Sequence, residues 1–154
     1  MESFSLYNPT RVLFGKGQIG KIGKELKKAD IKSCLMIAGG GAIRKNGVYD
    51  QVCESLKENK IEWIESWGVQ PNPTVEKVRE MIDLAKESSV DAILAVGGGS
   101  VIESGKATAA GIFLNDIWNA YVDKEKIIRA LPIFTILTIS ATGSEMNGNS
   151  VLTL

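Results

Sequence analysis

The sequence predicts an α/β domain, doubly wound around a mostly parallel sheet. Short apolar runs at 34–38, 92–96 and 133–139 are hydrophobic on successive residues, as in strands buried on both faces of a parallel sheet. Between them lie segments whose apolar residues recur at helical spacing. Glycines gather at 15–23, 39–41, 97–99 and 143–148, where the apolar runs end. A β-α-β-α-β-α-β alternation of this kind puts its ligand beyond the carboxyl ends of the strands.

In chain order, Val12–Phe14 is short and strand-like, and Ile19, Ile22 and Leu26 predict a helix over 18–28. The strand Cys34–Ala38 follows, then a helix over 47–59 marked by Val48, Val52 and Leu56. Ile61–Trp67 alternates with Glu62 and Glu65 and reads as a strand nearer an edge. The Pro71-Asn72-Pro73-Thr74 turn starts the next helix, with Thr74 as its N-cap and Val75, Val78, Ile82 and Ala85 on its apolar face. After the strand Ala92–Val96 comes a helix over Ser100–Leu114, dense in Gly105, Ala107, Ala109, Ala110 and Gly111. Glycine costs a helix interior roughly 1 kcal/mol relative to alanine, so this helix is expected to approach a neighbour closely. Ile133–Ile139 gives another buried strand, and Val151–Leu154 reads as part of one more.

Composition narrows the function. The 154 residues amount to one domain. Eighteen basic residues balance eighteen acidic ones, which argues against a nucleic-acid binder, since that role needs clustered positive charge. Histidine is absent, which removes Ser-His-Asp and Cys-His pairs, a histidine general base and histidine metal ligands. Chemistry here requires other residues or a bound cofactor. Cys34 and Cys53 sit in apolar patterns and read as core thiols. The N-terminal stretch is polar where a secretory signal is apolar, and no segment approaches the roughly 18 apolar residues of a membrane span. A cytoplasmic protein without a membrane partner is expected.

Three glycine segments compete as phosphate loops. Gly15-Lys16-Gly17-Gln18-Ile19-Gly20 fits G-x-G-x-x-G, but the acidic residue expected at the end of the next strand is missing, because that strand runs into Gly39-Gly40-Gly41. Gly97-Gly98-Gly99-Ser100 is the stronger candidate. It ends a strand and opens a helix, so bare backbone, free N–H groups and the helix dipole converge on one point. Ser100 either caps the helix or donates to a phosphate. Lys106 does not complete a P-loop, because Ser100 and Ala107 break the G-x-x-x-x-G-K-[ST] frame. In the third segment no carboxylate repels a ribose 2′-phosphate, and Arg44 and Lys45 are near enough to attract one, which favours NADP(H) over NAD(H).

Five motifs occur in register: Asn8-Pro9-Thr10 with Phe14-Gly15; Gly39-Gly40-Gly41; Asn72-Pro73-Thr74; Gly97-Gly98-Gly99-Ser100-Val101-Ile102-Glu103-Ser104-Gly105-Lys106-Ala107; and Ala141-Thr142-Gly143-Ser144-Glu145-Met146-Asn147. Over essentially the whole chain the sequence resembles the iron-containing (group III) alcohol dehydrogenases, in the branch of NADPH-linked butanol dehydrogenases and aldehyde reductases. The resemblance implies a Rossmann-like, dehydroquinate-synthase-like N-terminal domain spanning 1–154. It also implies an oxidoreductase that interconverts primary alcohols and aldehydes with NAD(P)(H) and a divalent metal, Fe2+ or Zn2+, in the full-length enzyme. The family's helical metal-binding domain has no counterpart in these residues, so no metal ligand and no catalytic residue is carried over. Dinucleotide binding without efficient turnover is expected of the isolated chain.

By the same resemblance, Gly97, Gly98, Gly99, Ser100, Val101 and Ile102 take the pyrophosphate. Gly39 and Gly40 underlie the adenosine ribose, and Asn72 lies near the adenosine. Ala42 stands where the family has a serine, removing one donor to a 2′-phosphate. Thr138, Thr142 and Asn147 fall in the segment that approaches the nicotinamide, with Val151 in the strand behind it. Thr142-Gly143-Ser144-Glu145 also reads as a plain helix cap. A dehydroquinate synthase or glycerol dehydrogenase relative shares the triple glycine, but the Asn8-Pro9-Thr10 start and the 141–147 motif speak against it. A non-catalytic nucleotide-binding or assembly module is the alternative from another class. Self-association into a homo-oligomer is expected, because apolar surface suited to a second domain would lie uncovered.

Overall fold

Four parallel strands in the order β2-β1-β3-β4 form the centre of the molecule, in a computed structural model that describes residues 7–154. The first six residues of the polar N-terminal stretch lie outside the described residues. The elements run α1 (Ile22–Lys28), β1 (Ser33–Ala38), α2 (Ala42–Lys45), α3 (Val48–Glu58), β2 (Glu62–Ser66), α4 (Val75–Glu87), β3 (Ala92–Gly97), α5 (Gly99–Gly111), α6 (Trp118–Tyr121) and β4 (Ile133–Leu137). Leu35 of β1 pairs with Ile64 on one side and Ile93 on the other, and Leu94 of β3 pairs with Phe134.

Strand side chains alternate between two helical layers. Cys34, Met36, Ala38, Leu94 and Val96 pack with Ile22 and Leu26 of α1 and Val52 and Leu56 of α3. Leu35, Ile37, Ile93 and Ala95 face the other way, onto Met81 and Ala85 of α4 and Val101, Ile102 and Ala109 of α5. The sheet is therefore covered on both faces, which is why β1 and β3 lack an exposed side chain. The anticipated close approach of α5 is found at Gly105, where a Cβ would lie 3.1 Å from that of Ala95. Thr74 caps α4 as expected, its Oγ1 accepting from Lys77 N at 3.3 Å.

Several expectations need correction. Val12–Phe14 is not a strand: it has no strand partner among the described residues, and Phe14 is 96% exposed. Residues 18–28 divide into a 3-10 turn, Ile19–Lys21, and α1. The Ser100–Leu114 helix stops at Gly111. The run 133–139 yields a strand only to Leu137, and it is half-buried because β4 is a sheet edge among the described residues. Val151 does not belong to a strand either. The terminal segment makes one isolated parallel bridge, Thr153 to Thr74. Leu152 is buried in a small cluster with Val75 and Val78, while Val151 is left 65% exposed. Apolar patterning alone does not make a strand where no edge is in register to pair with it.

Strand order sets the place of the site. From β1 the chain crosses to β2 on one side, then returns past β1 to β3 and β4 on the other. Such a reversal opens a crevice beyond the carboxyl ends of the two central strands.

Candidate dinucleotide site

Both strong glycine segments end at this crevice. Gly39 follows β1 directly, and Gly97 closes β3. A Cβ on Gly39 would lie 3.4 Å from Val69 O and 3.7 Å from Val101 Cγ2, so the two loops touch through Val101. Gly39 O accepts from Gly68 N and Ala38 O from Val69 N, each at 3.3 Å, tying the loop that carries Asn72 to the end of β1. Gly40 has open space around it, and Asn72 is exposed with φ 57°.

Around the second segment there is no room for side chains. A Cβ on Gly97 would come within 2.6 Å of Val101 Cγ2, and one on Gly99 within 2.7 Å of Thr142 Oγ1. The chain after β4 closes over this loop: Thr138 N donates to Gly97 O at 3.0 Å, and Ile139 approaches Gly98. At the start of α5, Val101 N and Ile102 N both donate to Gly98 O at 3.1 Å. The amides left without an intrahelical acceptor at this end include those of Gly99 and Ser100. The Ile102 side chain is fully buried in the core. Thus the fold gathers Gly39, Gly97–Val101, Thr138 and Thr142, whereas Ile102 serves from behind and Val151 stands apart.

The segment 143–147 is held from outside itself. Its 3-10 turn, Ser144–Met146, begins at Gly143 with φ 66° and has no side-chain cap, so the helix-cap alternative is not realised. Ser144 Oγ is buried without a hydrogen-bond partner, as is Glu145 Oε2. Lys106 of α5 donates to Ser144 O at 2.9 Å and to Asn147 O and Oδ1 at 3.2 Å each. From the other side Asn8 Nδ2 donates to Met146 O at 2.8 Å. Partial burial pushes the Lys106 ammonium below its ordinary pKa, against the opposing fields of Glu103 and Glu145.

Beyond β2 lies a group that the sequence reading did not assemble. Glu65 accepts from Tyr49 OH at 2.7 Å, Trp63 Nε1 at 3.0 Å and Trp67 Nε1 at 2.7 Å. Arg44 lies 4.0 Å over the Trp67 ring and 5.1 Å from that of Tyr49, with its guanidinium 3.8 Å from Glu65. Burial works to raise the Glu65 pKa, but the hydrogen bonds from Trp67, Tyr49 and Trp63, with the Arg44 charge, hold it below the ordinary value. The signal was present as the i, i+2 spacing of Trp63, Glu65 and Trp67, which an extended chain turns to one side, although β2 itself ends at Ser66.

A triple-glycine loop at the switch point of a parallel sheet is common to many nucleotide-binding proteins. The model of the family described as iron-containing alcohol dehydrogenase matches residues 9–154. The chain belongs to that family. It is 46% identical over 153 residues to the NADH-dependent butanol dehydrogenase A of Clostridium acetobutylicum, covering 99% of this chain and 39% of that protein. To the NADPH-dependent aldehyde reductase YqhD of Escherichia coli it is 40% identical over 156 residues, with coverage of 99% and 39%. The crystal structure of an NADH-dependent butanol dehydrogenase A from Thermotoga maritima matches with a TM-score of 0.98 and 56% identity, over 99% of this chain and 39% of that one. The chain therefore spans 39% of the length of these relatives.

The family is named for iron, and the residues here do not fit such a centre. The sequence has no histidine, and among the described residues no group of three or more His, Cys, Asp or Glu is placed to hold a metal ion. The glycine cradle does fit a pyrophosphate, since bare backbone and the amides at the start of α5 face the same crevice. Among the described residues no helix is long and apolar enough to cross a membrane.

Proposed function

We propose that residues 1–154 form the dinucleotide-binding domain of an oxidoreductase that interconverts primary alcohols and aldehydes with NAD(P)(H). The observation that carries this reading is the Gly97–Ser100 loop, where a Cβ at Gly97 or Gly99 would collide with Val101 or Thr142 and the first amides of α5 open toward the switch point. Relatives named as butanol dehydrogenases and an aldehyde reductase support the substrate class.

In this reading Gly97–Ser100 binds the pyrophosphate, with the α5 dipole favouring its charge. Val101 and Ile102 shape and brace the loop, Gly39 and Gly40 leave space for the adenosine ribose, and Asn72 borders the adenosine. Thr138 and Thr142 orient the nicotinamide half, while Asn147 and Val151 lie farther along the same segment. The nicotinamide supplies hydride transfer when bound; this chain supplies position and field. A cytoplasmic location fits two thiols that are both free.

Preference for NADP(H) over NAD(H) is part of the proposal. It rests on glycine rather than a carboxylate at 39–41 and on Arg44, whose stacking on Trp67 keeps a guanidinium ordered beyond β1. Titration of the chain with NADPH and with NADH, followed by the fluorescence of Trp63, Trp67 and Trp118, tests both parts. Saturable quenching is expected for both cofactors, tighter for NADPH, with Arg44→Ala weakening NADPH alone. Equal affinities overturn the NADP(H) preference. No response to either at millimolar concentration overturns dinucleotide binding and favours an assembly module.

A further inference from the structure

Asparagine precedes glycine twice in the chain, at Asn46-Gly47 and at Asn147-Gly148, and the fold treats the two pairs differently. Glycine has no Cβ to keep its amide away from the preceding side chain, so in either pair the backbone nitrogen is a nucleophile within reach of the asparagine carboxamide. At Asn147 that carboxamide is tied on both sides. Its Nδ2 donates to Gly143 O at 3.0 Å, and its Oδ1 accepts from Lys106 Nζ at 3.2 Å and from Asn149 N at 2.9 Å. At Asn46 the Oδ1 accepts from Val48 N at 3.2 Å, while Nδ2 has no acceptor among the described residues. The Gly47 amide makes no backbone hydrogen bond among those residues either, and Asn46 is exposed to water.

We propose that Asn46 is a site of covalent self-modification, at which the folded chain loses ammonia, and that the fold shields Asn147 from the same reaction. The Gly47 nitrogen gives up its proton to solvent and attacks Asn46 Cγ. The Cγ–Nδ2 bond breaks, and the amide leaves as ammonia with a proton taken from water. Water then opens the resulting cyclic imide at one carbonyl or the other, giving aspartate or isoaspartate at position 46. The net change is one water consumed and one ammonia released, with nothing oxidised or reduced. The hydrogen bond from Val48 N meets the oxygen on which negative charge develops during the attack, and it comes from the first residue of α3, the positive end of that helix dipole. At Asn147 the same movement has to break bonds to Gly143 and Asn149 and one to the Lys106 ammonium. The product at position 46 is ionised at neutral pH, so the chain passes from a net charge of zero to a negative one. The new carboxylate stands just ahead of α3, and isoaspartate lengthens the backbone that joins α2 to α3.

Incubation of the folded chain at mildly alkaline pH, followed by peptide mapping with mass spectrometry, reads both asparagines in one sample. Conversion at Asn46 should be at least about tenfold faster than at Asn147, the scale of one further hydrogen bond to a charged group that has to be broken. Isoelectric focusing should show an acidic species growing with time, and Asn46→Gln, whose longer side chain closes a less favourable ring, should abolish it. In guanidinium the two pairs should react at similar rates, because the bonds that distinguish them are gone. Peptide mapping of the unsubstituted chain decides the matter without any variant. Equal rates in the folded chain overturn the proposal, as does an Asn46 that stays intact when folded under conditions that convert it in guanidinium. A tenfold ratio that persists in guanidinium assigns the difference to neighbouring residues rather than to the fold, and overturns it too.

Discussion

Thr142 Oγ1 lies 2.7 Å from the point that a Cβ on Gly99 would occupy, so the segment following β4 rests directly on the first residue of α5. Gly99 is not at a left-handed φ; it is glycine because a neighbour fills the space. Gly99→Ala should leave the fold intact, since Thr142 is exposed and able to move, while NADPH affinity falls about tenfold or ~1.4 kcal/mol. Fluorescence titration beside a thermal melt measures both. Unchanged affinity would show that the position of Thr142 is irrelevant to the cofactor.

A different glycine of the same helix reports on packing. A Cβ on Gly111 would overlap Ile82 Cδ1 of α4 and lie 3.4 Å from Ile117 Cβ. Overpacking of this kind costs about 1–3 kcal/mol, and Gly111→Ala should lower stability in urea by that amount. Ile82→Val removes the overlapping methyl, so the double variant should be more stable than the sum of the single effects predicts. Simple additivity would mean that the two helices do not meet there.

Acid sensitivity should trace in part to Asp91. Hydrogen bonds from Lys32 N and from Ser33 N and Oγ hold its carboxyl below the ordinary pKa, outweighing the cost of its slight burial. A carboxylate with a depressed folded pKa contributes stability that is present above its unfolded value, about 3.9, and lost as pH falls through the folded value. Asp91→Asn should therefore cost about 0.5–1 kcal/mol at pH 6, reduced by solvent screening at this exposed position, and the difference from the unsubstituted chain should vanish toward pH 2. Urea melts across that range measure it, and a constant difference would assign the effect to geometry rather than charge.

The thiols should separate by reactivity. Burial pushes the Cys34 thiol up to about 12, and burial also raises that of Cys53, which is only half-buried. Thiolate is the reacting form. Aromatic disulfide reagent at pH 8 should modify Cys53 slowly and Cys34 only after guanidinium is added. Equal rates without denaturant would contradict the burial of β1.

What the sequence by itself determined was each element that its own residues could specify. Continuous apolar runs located β1 and β3, the alternation in Ile61–Trp67 marked β2 as an edge, and Thr74 announced its cap. The glycines at 39–41 and 97–99 marked the ends of β1 and β3, because close approach of backbone must be written as missing side chains. Where the reading failed, at Val12–Phe14 and Val151–Leu154, local pattern was strand-like, but among the described residues the first has no strand partner and the second makes one isolated bridge. A strand exists only by pairing, and pairing is a property of the whole fold.

Tertiary structure alone decided how the 143–147 turn is held. In the sequence Lys106 stands outside a P-loop frame, and the resemblance puts Asn147 in the segment that approaches the nicotinamide. Only the placement of α5 against the 143–147 turn, 41 residues farther along the chain for the Asn147 contact, brings them together. The Arg44, Tyr49, Trp67 and Glu65 group likewise depends on α2 and α3 folding over β2. Such contacts join side chains whose spacing follows no period, so periodicity cannot announce them. They are set by the sheet order that lays distant loops side by side.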